Sequence, residues 1–222
     1  MLTWCAVASF AAAGGVAVRW WSRRFDGLGR ARRFPAISVV ILVIAGGVAL
    51  VPVIRHAALE RDLGRVASGL VGVPVEVHCQ TLGEELVSTG QELGFVRWGP
   101  DGRPEHRTTI MREACGSLGD YLGSEHARPS EEEVRAVHVL SHESRHMAGE
   151  MDEARAECEA MQRDAVAARL LGADDAEARR LARYYWLVLY HRMPADYVSG
   201  NCAPGAAWDE HLPDAPWAVI GG

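Results

Sequence analysis

His142-Glu143-Ser144-Arg145-His146, followed closely by Gly149, Asp152, Glu153 and Glu157, is the stretch on which the reading of this chain turns. Two histidines four apart on a helix occupy the same face, so both imidazoles can reach a common point about 2 Å from each nitrogen. That is the geometry a zinc ion needs. Glu143 is turned about 100° from His142 around the helix, too far to share the metal equally but able to hold and deprotonate a metal-bound water. It is the expected general base. A tight turn at Gly149 would fold the next helix back, so that Asp152, Glu153 and Glu157 face the histidines and offer a third ligand.

Asp152 is the natural N-cap of that returning helix, where its carboxylate accepts backbone N–H bonds. The expected order of third ligands is therefore Glu153, then Glu157, then Asp152. Glu157, one turn beyond Glu153, reads either as a helix-face carboxylate or as a hydrogen-bond partner of His142 or His146. His138 continues the histidine stripe, but positions i, i+4 and i+8 span about 12 Å, too far for three nitrogens to share one ion. It is expected to pack or to support a ligand. Arg145 reads as a solvated or salt-bridging side chain, and Ser144 has no base to activate it. An oxyanion donor would come from Tyr184, Tyr185, Tyr190, His191 or Tyr197, with Tyr190 and His191 favoured, although aromatic residues at helical spacing more often form core.

The segment resembles the gluzincin metallopeptidases, in which HExxH is followed by a second element reading roughly (N/D)-E-A-x-x-(D/E). Here Asp152-Glu153-Ala154-Arg155-Ala156-Glu157 matches that element, and the resemblance implies zinc ligation by Glu153 and support of a histidine by Glu157. The spacer is far shorter here than in thermolysin-like enzymes. His142, Glu143, His146, Gly149 and Asp152 also match HExxHxxGxxD, the pattern of snapalysin-like metzincins, which would make Asp152 the ligand. The whole chain resembles actinobacterial-type membrane proteins carrying the same block, which supplies no substrate.

Outward from this block, the chain of 222 residues carries a formal charge of −6, and its basic residues are all arginine. Arg19, Arg23, Arg24, Arg30, Arg32 and Arg33 crowd one stretch; the remainder is acidic, which argues against nucleic acid as a partner. Ala36 to Ile54 holds no charge and spans about 28 Å as a helix, close to the hydrocarbon thickness of a bilayer. Leu2 to Val18 is a weaker second span. The arginine cluster between them is expected in the cytoplasm, which sends the chain after Ile54 outward as an uncleaved-anchor protein of the cell membrane. Cys79, Cys115, Cys158 and Cys202 then lie in an oxidising compartment; pairing Cys79 with Cys115 and Cys158 with Cys202 closes loops of moderate length, though three pairings remain open.

A connecting helix is expected from His56 to Leu70, a strand at Val75 to Cys79, and a hairpin joining Phe95–Trp98 to Thr108–Met111. Ser130 and Glu133 form a capping box for the HExxH helix, which Gly149 ends. Further helices are expected over Asp152–Leu171 and Asp174–Tyr190, then an irregular tail from Asn201 held by Cys202, Trp208 and Trp217. The expected class is mainly α (α+β): a membrane anchor (1–54) of one or two helices, a connecting helix (55–72) and a small zincin-like domain (73–222) with a β-hairpin and an HExxH helix packed on a returning helix. The expected function is zinc-dependent peptide hydrolysis with Glu143 as base and a peptide or protein as substrate. The alternative is a non-catalytic, zinc-stabilised extracytoplasmic binding domain. A vestigial HExxH in an envelope assembly predicts no metal at all.

Overall fold

The computed structural model describes residues 2–86 and 93–218. It divides into two compact units, 1–58 and 59–222. In the first, α1 (Leu2–Ser22) and the start of α2 (Ala36–Val71) flank the arginine-rich stretch. That stretch is a tight turn built on Asp26, whose carboxylate accepts the N–H groups of Leu28 and Arg30. Gly46 of α2 lies against the Phe10 ring, where an added Cβ would meet it at 2.9 Å. Among the described residues, one helix, α2, is long and apolar enough to cross a membrane by length and composition. The helix does not break at Ile54: Arg55, His56 and Ala57 are helix formers, so the expected span and connecting helix are one element.

The second unit is mainly helical around a three-stranded sheet. Strands β1 (Glu76–Cys79), β2 (Gly94–Trp98) and β3 (Pro104–Ile110) lie in the order β1-β3-β2. The expected hairpin forms, with Phe95 opposite Thr109 and Val96 opposite Thr108, around a turn that Gly102 completes at φ +73°. Not legible beforehand was the parallel pairing of β1 with β3, a contact between segments about thirty residues apart that no local pattern encodes. A short helix α3 (Leu82–Glu85) follows β1, and α4 (Arg112–Gly123) follows β3.

Helix α5 (Glu131–Met147) starts at the capping box of Ser130 and Glu133 and packs against β2, β3, α4, α6 and α7. It ends as Gly149 takes φ +108° and the Glu150 N–H bonds the Arg145 carbonyl, satisfying orphan carbonyls of the last turn. Asp152 then caps α6 (Glu153–Met161) by accepting from Arg155 N–H at 2.8 Å. The chain thus reverses direction within a few residues.

Two expected helices are corrected. The Asp152–Leu171 stretch is broken into α6 and α7 (Asp164–Leu170), because Gln162 is fully buried and spends its amide on the carbonyls of Cys158 and Trp208 while Arg163 turns out to grip Glu210. Helix α8 (Asp175–Tyr184) stops at Tyr184 and passes into a π turn, Tyr185–Leu189, and a short 3-10 turn, Tyr190–Arg192. That wider turn accompanies the Tyr185 hydroxyl reaching Glu157.

Disulfides join Cys79 to Cys115 and Cys158 to Cys202. The second ties the tail to α6; Trp208 and Trp217 also hold the tail, Trp217 by donating to Asp209, and residues 219–222 lie outside the described residues. Because this bridge closes a loop of 44 residues, the Cys158→Ala/Cys202→Ala double variant is expected to lose about 4 kcal/mol in guanidinium unfolding followed by tryptophan fluorescence. A loss below about 1 kcal/mol would mean that the tail holds without it.

Candidate metal centre

The α5–α6 reversal brings together the side chains on which the site depends. His142 Nε2 lies 2.9 Å from His146 Nε2 and 3.1 Å from Glu153 Oε2, and His146 Nε2 lies 3.3 Å from the same oxygen. A tetrahedral ion with bonds of about 2.0–2.2 Å sets its donors about 3.3 Å apart. The triangle therefore fits a small divalent cation. Two imidazole nitrogens facing each other can share only one proton, whereas both lone pairs can serve one ion. Both rings are aimed from behind: His146 Nδ1 meets the Glu150 carbonyl at 2.7 Å and His142 Nδ1 meets Glu157 Oε2 at 3.1 Å. Each such contact orients the ring so that Nε2 faces the cleft.

His142, His146 and Glu157 are buried and Glu153 is half exposed at the mouth. Asp152 does not join them; its carboxylate caps α6. Glu157 sits beneath His142 rather than beside Glu153, its Oε2 taking His142 and His138 and its Oε1 taking the Tyr185 hydroxyl at 2.6 Å. These groups, His142 with His146 and Glu153, or His138 with His142 and Glu157, are the two sets of donors close enough to hold a metal ion among the described residues.

Glu143 is buried between β2 and β3. Thr108 donates to its Oε2 at 3.3 Å, and Gly94 lies so close that a Cβ there would meet Oε1 at 2.8 Å. Gly94 therefore has to be glycine for Glu143 to lie where it does. Burial pushes the Glu143 carboxyl up to about 7, against the pull of His142 and His146. Burial lowers the histidines, but the carboxylates win: Glu153 and Glu157 raise His142 to about 9 and Glu153 raises His146. The two histidines in turn hold Glu153 down near 2.

A cleft of about 540 Å³ opens over these groups, with Phe95, Val96, Trp98, Val139, Met193 and Pro194 among its walls. Of the tyrosines weighed as oxyanion donors, Tyr185 and Tyr197 line it: the Tyr185 hydroxyl is committed to Glu157, and the Tyr197 ring lies 5.8 Å from that of His142. The two favoured residues are elsewhere: Tyr190 is buried against the Ser199 backbone, and His191 is exposed away from the cleft. Arg145 is also not solvated. It is buried on the far face of α5 and donates to the Leu70 carbonyl at 2.6 Å, ending α2. Thr108, Gly94 and Asp164, which meets His138, had no local signal in the sequence, since each acquires its place through pairing or packing of distant elements.

No protein-family model, curated protein or solved structure matches the chain.

A metal must displace the proton that the carboxylates hold on His142. Because that histidine is raised to about 9 and His146 is raised as well, affinity is expected to climb at least tenfold per pH unit from pH 7 and to level off near 9, with proton release on binding. Calorimetry of zinc or cobalt binding in buffers of different ionisation heat checks this; affinity flat over that range would show that His142 is not a ligand.

Proposed function

We propose that this protein is a membrane-anchored zinc metallopeptidase whose soluble unit lies outside the cytoplasm. The observation that carries the reading is the triangle of His142, His146 and Glu153 opening into a cleft beside the buried carboxylate of Glu143. Zinc is the favoured ion, since two imidazoles and one carboxylate are a common catalytic zinc set. Among the described residues, three close donors rather than four favour a site with a position left for water or substrate over a closed structural one.

When bound, zinc supplies a Lewis acid that polarises a carbonyl and acidifies water. His142, His146 and Glu153, whose Nε2, Nε2 and Oε2 atoms face one another, would hold it. Glu143 takes the proton of the attacking water and returns it to the departing amine. Tyr197, beside His142, is the side chain assigned to the developing oxyanion.

A peptide substrate is supported by β2. Among the described residues this strand pairs only with β3, so its other edge lines the cleft with unpaired backbone groups able to take an extended chain as a further strand. The placement is supported by the arginine-rich turn, whose end of α2 the positive-inside rule assigns to the cytoplasm, and by two disulfides in the second unit, which suit an oxidising compartment.

The test is cleavage of a mixed peptide library by the zinc-loaded full chain in detergent, read by mass spectrometry. Wild type is expected to cleave, Glu143→Gln to keep its zinc but lose about 100-fold or more, and His146→Ala to lose both. Gly94→Ala, whose Cβ would press on the Glu143 carboxylate, should slow turnover with zinc retained. Undiminished cleavage by Glu143→Gln, or none by zinc-loaded wild type, would sink the peptidase reading.

A further inference from the structure

The floor of the cleft holds polar groups that this chemistry does not use. His138, one turn before His142 on α5, is buried, and each of its ring nitrogens meets a carboxylate: Nδ1 lies 2.9 Å from Asp164 Oδ2 and Nε2 lies 2.9 Å from Glu157 Oε2. Its ring stacks on Tyr185 with centroids 3.6 Å apart, and the Tyr185 hydroxyl donates to Glu157 Oε1. Glu157 thus receives a donor on Oε1 and two, from His138 and His142, on Oε2. A carboxylate at each nitrogen calls for a proton at each, so His138 is an imidazolium held between Asp164 and Glu157.

The consequence reaches the metal centre through His142. A neutral imidazole carries one N–H; with that hydrogen at Nδ1, donated to Glu157, the lone pair is left on Nε2, the atom facing His146 and Glu153. We propose that His138 is a positioning residue: by bridging Asp164 and Glu157 it locks the Glu157 carboxylate beneath His142 and so selects the His142 tautomer that turns its Nε2 lone pair to the cleft. The proposal rests on reading the cleft as a zinc site. His138, His142 and Glu157 are near enough to suggest a second ion, but His142 would then have to offer its Nδ1 lone pair to that ion as well as Nε2 to the first, and His138 is already gripped at Nδ1 by Asp164.

Asp164 completes the bridge because the chain breaks between α6 and α7, bringing the first residue of α7 onto His138. A continuous helix would have carried that carboxylate elsewhere. The bridge is therefore a feature of this particular packing, separate from the ligands themselves.

The test compares full-chain wild type with His138→Gln, Tyr185→Phe and Asp164→Asn in detergent micelles, measuring zinc affinity by competition with a chromophoric chelator and the His142 tautomer by nitrogen-15 spectra of the imidazoles. Wild type should bind one zinc with His142 protonated at Nδ1, and the metal-free proteins, compared above pH 9 where His142 has given up its extra proton, should show the same tautomer in wild type. His138→Gln should bind zinc about 10- to 100-fold more weakly, with His142 in the metal-free protein shifted toward the Nε2–H form. Tyr185→Phe and Asp164→Asn should move both quantities the same way by less, and they carry the test if His138→Gln does not fold. A merely structural role for His138 would lower the unfolding temperature and leave the tautomer alone. An unchanged tautomer and affinity in the variants, or a second zinc that His138→Gln removes, would overturn the proposal. If wild type takes up no zinc, the metal reading fails, and the tautomer of the metal-free proteins still decides the role of His138.

Discussion

The interior of the second unit is organised by the cost of burying polar side chains on α5. His138, His142, Glu143, Arg145 and His146 all lie inside, and a buried ionisable group without a partner costs several kcal/mol. Partners arrive from every side. α6 offers Glu153 and Glu157, α7 offers Asp164, β3 offers Thr108, the loop after α5 offers the Glu150 carbonyl, and the end of α2 offers the Leu70 carbonyl. An apolar α5 would have been easier to bury. A polar one places its neighbours in register with it, since each must reach a particular atom.

The same arrangement explains how so short a segment builds a three-donor centre. Gly149 adopts a conformation that side chains rarely take, Asp152 caps the next helix at once, and Glu153 is therefore delivered to His142 and His146 only seven residues after His146. Were Gly149 an ordinary residue, the turn would be strained and the carboxylate would arrive on a different face. Behind this centre, Glu157 couples the triangle of His142, His146 and Glu153 to the buried His138–Asp164 pair, so that a hydrogen-bonded chain runs from the core to the cleft. Such a chain is stable because each carboxylate faces a donor; burial alone would drive Glu157 neutral, and His138 and His142 hold it ionised instead.

The first unit obeys a simpler rule. The apolar run from Ala36 carries its own backbone hydrogen bonds as a helix, and it is long and apolar enough to cross a membrane, where its exposed valines and isoleucines would face lipid. The arginine-rich turn before it supplies the kind of charge asymmetry that would orient a helix placed in a membrane.

Much was legible in the sequence where the signal is local. The capping box at Ser130 and Glu133, the stop at Gly149, the N-cap at Asp152, the apolar span and the β2–β3 hairpin all depend on residues a few positions apart, and the i, i+4 spacing of His142 and His146 places both on one face by helix geometry alone. What required the tertiary structure is everything joined over distance. The parallel pairing of β1 with β3, the break at Gln162 caused by a carbonyl of the tail, the closeness of Gly94 to Glu143, the burial of Arg145, and the meeting of His138 with Asp164 are decided by packing. Helical spacing alone sets His138 apart from the ligands, as its axial distance requires; only the returning chain, with carboxylates on successive turns, connects it to them. Sequence by itself determines which residues can meet on one helix face, because that periodicity is fixed by the backbone; which partners close in from other elements is settled only when the whole core finds an arrangement that leaves few buried charges alone.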